Sequence, residues 1–133
     1  MLVGVADTHA VLWYLHAAPR LSPTAKAFID AAAARGDQIG FSSITLIEMV
    51  YLIEKGRIAA ESFTRLARAL EEPDGLFLEL APDLPVARAL SRIDVVAVPD
   101  MPDRIIAATA LHLHVPVVSR DSKIRLSSLP TIW

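Results

Sequence analysis

The sequence predicts an α/β protein in which helices cover both faces of a parallel sheet. Short apolar runs such as Leu2-Val3-Gly4-Val5-Ala6 lack polar alternation, as expected of strands buried on both sides. Helical segments separate these runs, which calls for crossover connections and therefore parallel pairing. Several connections hold two helices instead of one, a departure from simple βαβ alternation.

Taken in order, the run Leu2 to Ala6 is the first strand. Asp7-Thr8 opens a segment, Ala10 to Ala17, that is apolar nearly all round and is expected to be a buried helix ended by Pro19. Ser22-Pro23 supplies an N-cap followed by proline at the first helical position, and the alanine-rich run to Ala34 before Gly36 completes a second helix. Gln38 to Phe41 is a short strand. Ser42-Ser43 offers the N-cap of a third helix, Ile44 to Glu54, closed by Gly56. A fourth helix spans Ala60 to Glu71. Pro73-Asp74-Gly75 is a turn, Leu76 to Leu80 a strand, and Asp83-Leu84-Pro85 the start of a fifth helix ending near Arg92. Ile93 to Pro99 is read as an extended connection. Pro102-Asp103 opens a sixth helix to about His114, followed by a strand at Pro116 to Ser119 and a short last one at Thr131 to Trp133.

Residues 1–133 are expected to form a single domain, in which roughly two-thirds of the unfolded surface is buried. Hydrophobic residues make up 53% of the chain and the charges are dispersed, which argues against disorder. The lack of cysteine excludes disulfides, thiolate nucleophiles and cysteine-bound metals, so any metal must be held by oxygen or imidazole. The opening apolar run is too short for a secretory signal and no stretch approaches ~18 apolar residues, so a cytoplasmic location without a membrane span is expected. A net charge of −2 gives no general attraction for nucleic acid. Any binding of a polyanion must therefore rest on a local site.

Ligands of open parallel sheets bind beyond the carboxyl ends of the strands. Asp7 and Asp121 follow strands there, and Asp103 opens a helix that starts at the same rim. Each has a bland alternative as a cap, a turn residue or a partner of the helix dipole. Glu48 is the hardest to explain that way, because Ile44 and Leu52 place it on an apolar row inside a helix, whereas Glu54 points elsewhere. Four carboxylates on one rim repel one another unless a cation compensates, and hard oxygen donors select Mg²⁺ or Mn²⁺. Such an ion can activate water and clamp a phosphate. Arg104, Arg120, Lys123 and Arg125 are candidates to receive a substrate backbone, with a solvated surface as the alternative for each. Thr8, Ser43 and Ser119 are candidates to orient a metal-bound water, although capping explains Ser43. Among His9, His16, His112 and His114, only the last two are closely spaced, and at i, i+2 on a helix they face different ways, so zinc is disfavoured.

Asp7-Thr8-His9-Ala10-Val11-Leu12-Trp13 after an apolar strand resembles the opening motif of PIN-domain proteins, particularly the VapC-type toxins of bacterial toxin–antitoxin pairs. Ser43-Ile44-Thr45-Leu46-Ile47-Glu48 is similar to the second acidic motif of that family. Pro102 to Ala110 is similar to the third, and Val118-Ser119-Arg120-Asp121-Ser122-Lys123-Ile124 to the fourth. The resemblance implies a three-layer sandwich around a five-stranded parallel sheet of order 3-2-1-4-5. It also implies Mg²⁺- or Mn²⁺-dependent RNA cleavage at Asp7, Glu48, Asp103 and Asp121, homodimerisation, and neutralisation by a cognate antitoxin. Asp100 competes with Asp103 for the third acidic position; Asp103 directly precedes the Ile/Ala-rich helix, as the third acid of the family does.

A haloacid-dehalogenase phosphatase would need a second Asp where His9 stands, and a receiver domain would need an acceptor Asp and a Lys that are not clearly placed. Neither GxGxxG nor a P-loop occurs. The remaining alternative is a non-catalytic PIN-like scaffold that binds RNA or protein. A degenerate scaffold would be expected to lack acids, and all four are present.

Overall fold

The computed structural model describes residues 1–133, the side chain of Leu126 excepted. Five strands, β1 (Leu2–Ala6), β2 (Gln38–Ser42), β3 (Phe77–Leu80), β4 (Val117–Val118) and β5 (Thr131–Ile132), form one sheet. Its order is β3-β2-β1-β4-β5 and all neighbours pair in parallel, as expected. Successive strand residues point to opposite faces, so each apolar run serves two cores. Val5 of β1 and Val117 of β4 enter one; Ala6 and Val118 enter the other.

The face receiving Ala6 and Val118 is covered by α1 (Thr8–Leu15), α2 (Pro23–Arg35) and α4 (Ala60–Glu71), through residues such as Val11, Ile29 and Leu66. The opposite face carries α5 (Leu84–Leu90), α6 (Met101–Leu113) and α7 (Ser122–Leu126), through Val86, Ile106 and Ile124. Helix α3 (Ile44–Glu54) sends Met49 into the first core and lays Ile44 against the second. This is a three-layer α/β sandwich. At Gly40 the missing β-carbon leaves room for the side chains of Leu80 on β3 and Leu2 on β1, the strands on either side of β2.

Several local expectations are corrected. Helix α1 stops at Leu15 instead of reaching Ala17, because Ala17 adopts a left-handed backbone (φ 49°) that cannot continue a helix. Ser43 does not cap α3. It is already helical, while the Ser42 hydroxyl accepts from Ile44 N at 3.2 Å and the Ser43 hydroxyl donates to Glu79 Oε2 at 2.6 Å. The short helix α7 was not expected; Asp121 caps it. Residues 93–99 contain no strand, but they turn instead of running extended, with Val98 N on Asp94 O and Val96 N on Asp94 Oδ1, both at 2.9 Å. Among the described residues no helix is long and apolar enough to cross a membrane.

Candidate functional site

Parallel strands deliver their C-terminal residues to one edge. Asp7 follows β1 directly, with its backbone N–H on Val118 O at 3.0 Å, so the ends of β1 and β4 are tied together. Asp7 is 8% exposed. Its Oδ1 accepts from Ala10 N at 2.8 Å, capping α1, and its Oδ2 accepts from the buried Ser119 hydroxyl. Ser119 Oγ also accepts from Asp121 N at 3.0 Å. One hydroxyl thus holds two acidic residues in register. Asp121 Oδ1 accepts from Lys123 N and Ile124 N at the start of α7.

Glu48 projects from α3 toward the same place. Its Oε1 accepts from Thr8 Oγ1 at 2.6 Å, and Thr8 Oγ1 lies 3.0 Å from Thr45 Oγ1. A hydroxyl has one proton, so with Glu48 ionised the chain runs from Thr45 to Thr8 to Glu48. Thr8 and Ser119 thus hold the carboxylates of Glu48 and Asp7 in place. Asp103 stands in the first turn of α6; Asp100 is its N-cap, accepting from Asp103 N at 3.1 Å.

Asp7, Glu48, Asp103, Asp121 and Asp100 all line one cavity of about 430 Å³, together with Thr8, Arg120 and Lys123. The sequence-predicted acids are thus brought together, and Asp100 lines the cavity beside Asp103. The electrostatic consequence is clearest at Asp103. Burial, then the charges of Asp100, Asp121, Glu48 and Asp7, push its carboxyl up to about 7. Glu48 is also raised, by burial first and by Asp100 and Asp7, against the hydrogen bond from Thr8. Burial raises Asp7 against its hydrogen bonds from Ser119 and Ala10.

The donor set fits a hard divalent cation: five carboxylates line the cavity, and mutual repulsion is what an ion would relieve. As placed, no three His, Asp or Glu side chains among the described residues close around a common point. Asp7, Glu48, Asp103 and Asp121 are the residues that would hold an ion, after side-chain adjustment.

Arg104 is corrected. It does not line the cavity; its guanidinium donates to Leu90 O at 3.3 Å and Ile93 O at 3.5 Å, and its buried Nε finds no partner among the described residues. One residue beyond Asp103 is about 100° further round the helix, which turns it toward the carbonyl end of α5. Arg125 is exposed on α7, away from the cavity lining. Two cavity residues, His9 and Trp13, were not assigned to the site from the sequence. Their i, i+4 spacing just after Asp7 was the available signal. Arg120 places its guanidinium 4.8 Å from the Trp13 ring centroid, a cation–π contact of about 0.5–1 kcal/mol at an exposed site.

Fold and site together define a parallel three-layer sandwich with an acidic cavity at the carboxyl edge of its sheet. The chain belongs to the PIN-domain family, whose profile matches residues 5–127. No curated protein matches at the sequence level. Among solved structures, VapBC2 from Rickettsia felis, bound to a DNA fragment from its promoter, is similar at TM-score 0.71 and 15% identity. That match covers 98% of this chain and 97% of the other. FitAcB from Neisseria gonorrhoeae is similar at TM-score 0.65 and 22% identity, with 97% and 96% covered. FitAB bound to an IR36 DNA fragment gives 0.66 and 21%, with 97% and 93% covered. At these identities the likeness is one of fold.

Proposed function

We propose that this protein is a metal-dependent endoribonuclease that hydrolyses RNA phosphodiester bonds at the acidic cavity, and that it is the toxin of a toxin–antitoxin pair. The observation that carries the reading is the gathering of five carboxylates in one cavity, with Asp103 pushed up to about 7 by burial and by its neighbours. Asp7, Glu48, Asp103 and Asp121 would hold Mg²⁺ or Mn²⁺. Such an ion supplies a nucleophilic water at neutral pH and charge neutralisation for the phosphate. Thr8 and Ser119 keep Glu48, Asp7 and Asp121 in place, while Arg120 and Lys123 receive neighbouring phosphates.

Membership of the PIN family supports nuclease chemistry, and the complexes VapBC2 and FitAB among the structural relatives support a partner protein. An exposed apolar row on α3, Ile47 (64%), Val50 (45%) and Tyr51 (55%), supports self-association as a homodimer. A non-catalytic PIN-like scaffold that binds RNA or protein is the second reading. Its neutral outcome is easily recognised.

The test is RNA cleavage by the purified protein with Mn²⁺ or Mg²⁺, with chelator, and with two variants. Chelator and Glu48→Gln should each remove at least about 99% of the rate, consistent with loss of a metal-based step. Glu54→Gln, exposed on the same helix, should remain active. Expression without a partner should arrest bacterial growth, and Glu48→Gln should relieve the arrest. Cleavage that persists in chelator would overturn the metal mechanism; no cleavage by folded, metal-loaded protein would leave the scaffold.

A further inference from the structure

A site that holds a phosphodiester at its acids must also accommodate the bases on either side. We propose that Trp13, with His9 and Arg120, forms a nucleobase-stacking subsite at the mouth of the acidic cavity. The inference rests on the nuclease reading in one respect, that the cavity receives a phosphodiester.

His9 and Trp13 are one turn apart on α1, so their rings project from one side of the helix, with centroids 5.4 Å apart and planes at 48°. Trp133, from the C-terminal end, supports the indole at 5.9 Å. The indole is held on the apolar core yet lines a cavity whose other walls are polar or charged, five of them carboxylates. A tryptophan needed only for packing would not have to face that polar space. Arg120 is exposed and sits among acids, yet among the described residues it forms no salt bridge and rests its guanidinium on the indole instead.

Flat π faces and a guanidinium plane are the surfaces on which unpaired bases stack, with little regard to sequence. Apolar peptide side chains would not use the guanidinium plane. A paired base has both faces occupied by its neighbours and cannot enter. Lys123, lining the same cavity, is placed for the next phosphate. The arrangement also answers how a chain of net charge −2 holds a polyanion: affinity comes from stacking and from two cations at one cavity, not from a general basic surface.

The chain has two tryptophans, so Trp133→Phe leaves Trp13 as the only indole reporter. In Ca²⁺, a mixed-sequence single-stranded RNA decamer should quench Trp13 emission. A ribose-phosphate decamer without bases and a duplex decamer should not quench, and should bind at least about tenfold more weakly. By anisotropy of labelled single strands, Trp13→Leu should lose about tenfold or more in affinity, and Trp13→Phe should stay within about threefold. Should Trp13→Leu fail to fold, the quenching and the baseless probe still decide. Unchanged Trp13 emission at saturation, or equal affinity for the baseless strand, overturns the subsite. Cleavage of the same decamer pool in Mn²⁺ separates the two readings. Quenching without cleavage refutes the nuclease and leaves the subsite standing, whereas cleavage without quenching does the reverse.

Discussion

Asp7 combines two roles that are usually weighed against each other. One carboxylate oxygen caps α1 through Ala10 N and the other takes the Ser119 hydroxyl, so the residue is a cap and a cavity acid at once. The geometry allows the roles to be separated by substitution. Asparagine keeps an acceptor for Ala10 N and is itself a good cap, whereas alanine removes the cap and strands a buried hydroxyl. Asp7→Asn should therefore change stability by less than about 1 kcal/mol, and Asp7→Ala should cost about 1–3 kcal/mol. Both should lose RNA cleavage per folded molecule. Urea unfolding beside single-turnover cleavage checks this, and an active, merely less stable Asp7→Ala would reduce Asp7 to a cap. The four acids were legible in the sequence because Glu48 was the hardest to explain as a cap or turn residue and the others clustered at strand ends. Thr8 was legible only as a neighbour, since its partner Glu48 is forty residues away and the contact exists only in the fold.

Helix ends show why some boundaries could be read and others could not. Four helices finish with the same pair of reversed backbone hydrogen bonds around a left-handed residue. Gly36 and Gly56 fill that position after α2 and α3, and both ends were placed from sequence. After α1 the position is held by Ala17, with Ala18 N on Trp13 O at 2.8 Å, and alanine gives no sign of it. His114 does the same after α6. Alanine in the left-handed region carries a steric penalty that glycine lacks. Ala17→Gly should accordingly stabilise the protein by about 0.5–1 kcal/mol, or roughly 2–5 °C in Tm for a chain of this size, without altering cleavage. Calorimetry checks it, and a lower Tm would mean that the penalty is already relieved by packing. Arg104 was misread for a related reason: adjacency to Asp103 in sequence is divergence on a helix. Helix α7, at five residues, was too short for any periodicity to declare it.

Across the whole molecule the sheet gathers negative charge that the net charge hides, because −2 overall coexists with five acids in one cavity. Folding without metal must therefore work against local repulsion, and the pH dependence should expose it. The ordinary value for Asp103 is 3.8, and in the folded protein it is raised to about 7. Below about pH 4 both states are protonated. Between there and about pH 7 the folded state holds a proton that the unfolded chain has released, so stability falls as pH rises and levels off above about 7. Asp7 and Glu48 are raised as well and act with the same sign. Asp30 and Asp37, lowered by their hydrogen bonds from Lys26 and Arg35, work the other way, but only as the pH falls below about 4. In chelator, Asp103→Asn should consequently match the wild type near pH 4 and exceed it at pH 7. Mn²⁺ should reverse the ranking at pH 7, since an ion at a hundred times its Kd adds about 2.7 kcal/mol to the wild type. The corresponding rise in Tm is on the order of 10 °C, and it should be largely lost in Asp103→Asn and retained in Glu54→Gln. Thermal unfolding of the three proteins at the two pH values, with and without Mn²⁺, decides the matter. A wild type whose metal-free stability is flat from pH 4 to 7, or an equal metal response in Asp103→Asn, would mean that these carboxylates do not act as one ion site.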